Sequence, residues 1–347
     1  MKLSKVLLFY VTACILSSSC LAEEVREEKL TANQYFNRGV VHLNKHRYEE
    51  AIKEFDKAIE VNPMFYDAYK MAGNAYIKMG DYDKAIAEYS KGLEANSRNP
   101  NLYYNRGCAY RQKGENEKAI ADFQKAVEMN PNFKLPYNNL GNAMTDVGEY
   151  NSAIESYNEA LSADPVSANT LWNRGISYSE AGEYEKAVKD FSELIKLRPK
   201  EFSGYYARAG VYLDMGEFDK AVRDYNRALV IDPFSYKGMN NRGFTYFCQG
   251  NYKQALSDFT MSVIYNPYGV DTWDNLGITA YRLGDKESAR EYLETAVGLN
   301  SISYEVYQYL GEIYAEKGDR EKADMYFRKA EENKDNVLQI PKKRPTP

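Results

Sequence analysis

The stretch YYNRGCAYRQKGENEKAIADFQKAVEMNP, residues 103–131, carries the decision about the fold. Gly107 and Ala119 are small residues twelve positions apart, and Phe123 follows the alanine by four. That spacing puts Ala119 and Phe123 on one helical face. Gly114 divides the stretch into two helix-length pieces, and Pro131 ends the second, since proline cannot continue a helix. The small pair lets two antiparallel helices approach closely. Working outward, the alanine recurs as Ala51, Ala85, Ala119, Ala153, Ala187, Ala221, Ala255, Ala289 and Ala323, always 34 residues apart and without insertion. Twelve residues before each stands a glycine, except Ala209 in the sixth unit. Four residues after each stands Phe, Tyr or, once, Leu293.

A hairpin of this size cannot bury its own apolar face. Stacked neighbours bury a continuous core instead. The expectation is therefore an all-α chain, an α-solenoid of nine 34-residue helix-turn-helix units over residues 32–337. The units start at 32, 66, 100, 134, 168, 202, 236, 270 and 304. The pattern resembles the tetratricopeptide repeat family. That resemblance implies a right-handed superhelix, a right-handed α-solenoid with a concave groove lined by the first helices, and a non-catalytic scaffold that grips a protein segment there.

Residues 1–22 read as a signal peptide: Lys2 and Lys5, an apolar run from Val6 to Leu16, then small residues. Eleven apolar residues are too few to span a bilayer. Two processing routes fit, cleavage after Ala22 or lipidation at Cys20, because "LSSSC" resembles a lipobox with Ser17 where Leu is usual. Both export the protein to the periplasm or outer membrane of a bacterium. Residues 23–31 form a leader, and residues 338–347, with three prolines, a flexible tail that cannot make a capping helix. Loss of residues 1–22 leaves 43 basic against 50 acidic residues, a net charge of −7. That balance argues against a nucleic-acid partner.

Arginine precedes the contact glycine, or its alanine equivalent, at Arg38, Arg106, Arg174, Arg208 and Arg242. Sixteen residues on, the same units carry Glu54, Asp122, Asp190, Asp224 and Asp258. The other four units have Ala or Leu at the arginine place and only one acid sixteen residues later. Such covariation among internal copies predicts an ion pair between the two helices of a hairpin, structural rather than functional.

Asparagine stands two residues before the contact glycine at Asn37, Asn105, Asn139, Asn173, Asn241 and Asn275. It lies about 100° round the helix from the arginine and is expected to point into the groove. An amide offers both donor and acceptor to the backbone of an extended peptide. O-GlcNAc transferase, which the array resembles in its unbroken register, holds peptide backbone by such a ladder. Next to these positions Phe36, Tyr104, Trp172 and Tyr206 offer rings that suit a glycan, the alternative ligand of a polysaccharide-export scaffold. Arg111, Phe244, Phe247, Tyr281 and Arg282 are expected to face the groove as well. The family's carboxylate clamp is incomplete: Lys70, Asn74 and Asn105 match, but Leu135 and Asn139 stand where Lys and Arg are wanted.

Little else suggests chemistry. The only histidines, His42 and His46, have helical spacing but no third ligand nearby, and zinc sites want three or four. His46 replaces a turn glycine. Cys108 and Cys248 lie four units apart, too far for a disulfide. No phosphate loop, hydrolase elbow or catalytic triad is evident, and no cofactor or metal is expected.

Overall fold

The computed structural model describes residues 30–338. The signal peptide, Cys20 and all but one residue of the tail lie outside them. Among the described residues there are eighteen helices and no strand. They divide into two compact units meeting at Pro136–Tyr137. The first contains α1 (Ala32–Asn44), α2 (Tyr48–Val61), α3 (Tyr66–Met79), α4 (Tyr82–Ala95), α5 (Pro100–Gln112) and α6 (Asn116–Met129). Helix α7 (Leu135–Asp146) starts at the boundary. The second unit continues through α8 (Tyr150–Ala163), α9 (Ala168–Glu180), α10 (Tyr184–Leu197), α11 (Phe202–Asp214) and α12 (Phe218–Ile231). It ends with α13 (Tyr236–Cys248), α14 (Tyr252–Tyr265), α15 (Val270–Arg282), α16 (Lys286–Gly298), α17 (Tyr304–Glu316) and α18 (Arg320–Glu332).

Odd-numbered helices are the first of each repeat and even-numbered ones the second. Within each unit a first helix packs on its own second helix, and that second helix packs on the next first helix. Successive first helices also touch, as α1 does α3 and α13 does α15, whereas no two second helices do so among the described residues. The first helices therefore line the inside of the curve. Each unit is an all-α solenoid of helical repeats.

The turn glycines end the first helices in the left-handed region, for example Gly80 at φ 78° and Gly216 at φ 71°. His46 takes the same conformation at φ 56°, as its place in the pattern requires. The second helices stop two residues before proline in six repeats. In the eighth, where Ser301 replaces proline, Asn300 adopts φ 68° and the Ser301 N–H closes on the Ala296 carbonyl. The core is the repeated contact read from the sequence: Phe55, Tyr89, Phe123, Tyr157, Phe191, Tyr225 and Phe259 are at most 1% exposed. A Cβ on Gly73 would lie 2.4 Å from the Tyr89 ring, so anything larger than hydrogen would have to displace that ring.

Leu338 packs on the core of the last repeats, and its N–H donates to Glu305 at 3.0 Å. Tyr304 N–H donates to the Asn336 carbonyl at 3.0 Å. An extended segment, not a helix, thus satisfies the Tyr304 N–H at the start of α17.

Candidate functional site

The arginines come first because they fix the first helices in place. Arg106 grips Asp122 with two parallel bonds, Nε to Oδ2 at 2.7 Å and Nη2 to Oδ1 at 2.8 Å. Arg174–Asp190, Arg208–Asp224 and Arg242–Asp258 repeat that fork. The third nitrogen, Nη1, reaches back sixteen residues to the preceding second helix: Ser90 from Arg106, Asn158 from Arg174, Ser192 from Arg208 and Asn226 from Arg242. One guanidinium so joins three helices. The backward partner was missed in the sequence, although Ser or Asn sixteen residues before each arginine was there to be read. Arg38 departs from the set. Its Nε stands 3.4 Å from Glu54, its side chain is 58% exposed, and Lys57 donates to Glu54 at 2.8 Å instead. No helix precedes α1 among the described residues to receive its third nitrogen.

The asparagines do not form the free ladder expected of them. Asn105 donates through Nδ2 to Asn74 Oδ1 at 3.4 Å, and that oxygen also accepts from the Tyr89 hydroxyl at 2.7 Å. The fourth and fifth repeats copy this: Asn173 donates to Asn142 at 2.7 Å, and Tyr157 donates to the same oxygen at 2.8 Å. These amides lace neighbouring first helices together. Asn241 donates to the Tyr206 hydroxyl at 2.9 Å. Asn139 is half-buried, and Asn37 is exposed with no side-chain hydrogen bond among the described residues.

In the sixth repeat Gly210 takes the place of Asn74 and Asn142, leaving the buried Tyr225 hydroxyl without a partner. Tyr225→Phe is therefore expected to be neutral or stabilising. Tyr89→Phe, which deprives Asn74 of a donor, should cost about 1 kcal/mol in thermal or denaturant unfolding.

The rings offered to a glycan are packed against their own repeats. Phe36 meets Phe55 and Phe65, Tyr104 meets Phe123 and Phe133, Trp172 meets Phe191, and Tyr206 meets Tyr225 and Phe202, with centroids 5.0–5.9 Å apart. Phe247, expected in the groove, is 6% exposed and belongs to the core. Tyr281 stacks on Tyr309 and donates to Glu312, and Arg282 lies over the Tyr309 ring. Burial pushes the Cys108 thiol up to about 11, against a hydrogen bond with Tyr104 and the charge of the half-buried Arg111. Cys248 is raised by burial to about 12. No group of three His, Cys, Asp or Glu side chains is placed to hold a metal among the described residues, and no helix there is long and apolar enough to cross a membrane.

Two recesses open on the first helices. In the first unit a pocket of about 510 Å³ is lined by α1, α3 and α5, with Asn74, Asn105 and Cys108 in its wall. In the second unit one of about 400 Å³ is lined by α13, α15 and the segment ending at Leu338, with Asn240, Asn241, Phe244, Asp274 and Asn275 around it. Both use the positions two before and one after the contact glycine. The same register thus builds a recess in each unit.

Asp274 is unusual. It occupies the place that is aromatic in four other repeats and neutral amide or lysine in the remaining four. Ser301 donates to its Oδ2 at 3.0 Å, while Oδ1 is buried without a partner. Burial pushes this carboxyl up to about 6, against the Ser301 bond and with help from Asp271 and Glu305. Unfolded aspartates sit near about 3.9, so the folded protein holds the proton more tightly. The group's contribution to stability is fully present below about pH 4 and is lost as pH rises through 6. Asp274→Asn should raise stability by about 2–3 kcal/mol at pH 7.5, a gap that closes below about pH 4 in parallel melts.

Comparison with known proteins follows the same lines. Three family models described as "Tetratricopeptide repeat" match residues 32–65 and 100–133, residues 173–236 and 275–336, and residues 54–87. A fourth, "TPR repeat", matches residues 73–110 and 141–182. No curated protein matches the chain. Among solved structures, the C-terminal part of a TPR repeat-containing protein from Cytophaga hutchinsonii is similar at 18% identity and a TM-score of 0.59, over 70% of this chain and 99% of its own. A tetratricopeptide repeat protein from Parabacteroides merdae has 20% identity and a TM-score of 0.52, over 72% of this chain and 98% of its own. A MamA protein has 25% identity and a TM-score of 0.46, over 49% and 92%. The first two likenesses concern the fold alone. From the four models, which together take in residues 32–133, 141–236 and 275–336, the chain belongs to the tetratricopeptide repeat family.

Proposed function

We propose that this protein-interaction scaffold holds an extended segment of another protein against its first helices, without catalysis. The observation that carries the reading is the pair of recesses, one in each unit, lined by amide side chains at equivalent register positions. Amides suit the N–H and C=O groups of an extended strand whatever its side chains. The laced amides contribute through what remains to them: Asn142 keeps its own N–H groups, Asn74 the one not turned to Met71 Sδ, and Asn105 and Asn173 their carbonyls. The glycan alternative has less support, because its rings are engaged by their own repeats. With residues 1–22 read as an export signal, the proposed workplace is the bacterial periplasm or outer membrane.

A random nonapeptide array probed with the protein tests the reading. Cys108→Phe is the informative variant. Phe244 stands at the equivalent position in the seventh repeat, so the fold accepts the ring while it fills the first recess. Capture of many extended peptides, a large share of them lost in Cys108→Phe at unchanged melting temperature, is the expected result. An array that captures nothing, or capture indifferent to the filled recess, overturns it.

A further inference from the structure

The second unit's recess is rich in acceptors and poor in donors. Asn240 donates to Asn241 Oδ1 at 3.3 Å, and Asn241 donates onward to Tyr206. That relay fixes the amide orientations, since turning Asn240 over would set two oxygens face to face. It leaves Asn240 Oδ1 buried without a partner in a recess also lined by Asp274, whose Oδ1 is equally orphaned. Asn275, on the same wall and 9% exposed, has no side-chain hydrogen bond among the described residues. Buried acceptors without donors are costly, and few are left so in a folded protein. Asp271 also lines the recess, Glu305 adds its field, and no lysine or arginine is in the wall. Asp274 is the one acid at this place among the nine repeats, the others carrying an aromatic ring, Lys70, Asn138, Asn240 or Gln308, and Ser301, where six repeats have proline, bonds to it. Departures from a repeated rule concentrate where structure serves function.

We propose that this recess is a specificity pocket for a basic side chain, a lysine or arginine carried by the bound segment. Its ammonium or guanidinium donates to Asp274 Oδ1 and Asn240 Oδ1, and Asn275 supplies amide contacts to the adjoining backbone. Ammonium has three donors and no acceptor, guanidinium five and none, which is the complement of what the pocket lacks. A carboxylate-bearing segment is excluded by Asp271, Asp274 and Glu305. The inference rests on the scaffold reading and adds the chemistry of the ligand.

The test is a nonapeptide array in which each lysine peptide is paired with its norleucine counterpart and each arginine peptide with its citrulline counterpart. Captured peptides are expected to weaken at least about tenfold in a subset of pairs when the charge is removed. Asp274→Asn should erase that difference. Because this variant is expected to be the more stable protein at neutral pH, the loss cannot be put down to unfolding. Ile302→Lys, which sets a rival ammonium on an exposed position of the wall, should also weaken the cationic members. Peptides captured with no dependence on charge, or a dependence that survives Asp274→Asn, overturn the pocket while leaving the scaffold standing. An array that captures nothing overturns both. A charge dependence that emerges only after removal of residues 339–347 overturns the partner as occupant, and assigns the pocket to Lys342, Lys343 and Arg344 of the chain itself.

Discussion

Replacing Arg106 with leucine will destabilise the third repeat by about 3–5 kcal/mol, because one partner of a buried pair is removed and the other stays. Asp122 is 5% exposed and receives both of its short bonds from Arg106. Leucine offers it nothing, and Ser90 loses a donor as well. The second substitution decides the interpretation. The eighth and ninth repeats carry Leu276 with Tyr292 and Leu310 with Tyr326 at the same two positions, so the scaffold already accommodates an apolar pair. Arg106→Leu with Asp122→Tyr should recover most of the loss, since a well-packed apolar replacement of an ion pair is often neutral. A repeat array need not unfold in one step, so hydrogen exchange of α5 and α6 is the suitable readout beside denaturant melts. Equal losses in the single and double variants would show that the arginine acts through something other than the pair.

Gly277→Val carries the second large effect. A Cβ there would lie 2.5 Å from Leu293 Cδ2 and 3.1 Å from the Leu293 backbone nitrogen. Leu293 is fully buried, and although its side chain can turn aside, the backbone of α16 has nowhere to go. Valine adds two further methyls to that contact, and a loss of about 3 kcal/mol or more is expected. Gly210 provides the opposite case on an equally helical backbone. Its Cβ would meet only the Tyr225 hydroxyl oxygen, at 3.8 Å. Gly210→Ala should therefore gain up to about 1 kcal/mol from helix propensity. If both substitutions shift the melting temperature the same way, the close approach at the contact glycine is not what governs stability.

The helices and the core contact were legible because they rest on strict spacing: a small residue, its partner twelve residues on, and a ring four residues after that. The arginine forks were legible because internal copies covary, as Asp122 does with Arg106. What was not legible depends on where an amide turns. Asn105 was read as facing a ligand, yet its Nδ2 lies within reach of Asn74, and only the distance between neighbouring first helices decides between the two. The rings of Tyr104 and Trp172 raise a related point, since each also packs on a phenylalanine of its second helix. A period-3.6 pattern gives a side chain's direction but not whether a neighbour from the second helix arrives first. Asp274 went unnoticed because an aspartate on a polar helix looks solvated; its burial comes from Ser301, Ile302 and the returning segment at Asn336–Leu338.

The lacing of amides also bears on how such an array changes length. Asn105 finds Asn74, and Asn173 finds Asn142, at an interval of 68 residues, and Arg106 and Arg174 follow the same interval. Excising the second repeat alone would bring Asn105 opposite Val40, which has no acceptor side chain. Excising residues 100–167 would bring Asn173 opposite Asn74 and Arg174 opposite Ser90, each a partner of the kind it already has. Across the first five repeats the heritable module is therefore a pair of repeats, and removing the third and fourth together leaves no mismatched seam, whereas from the sixth repeat on, where Arg208 follows Arg174 directly and Gly210 replaces the amide, that two-step rule lapses.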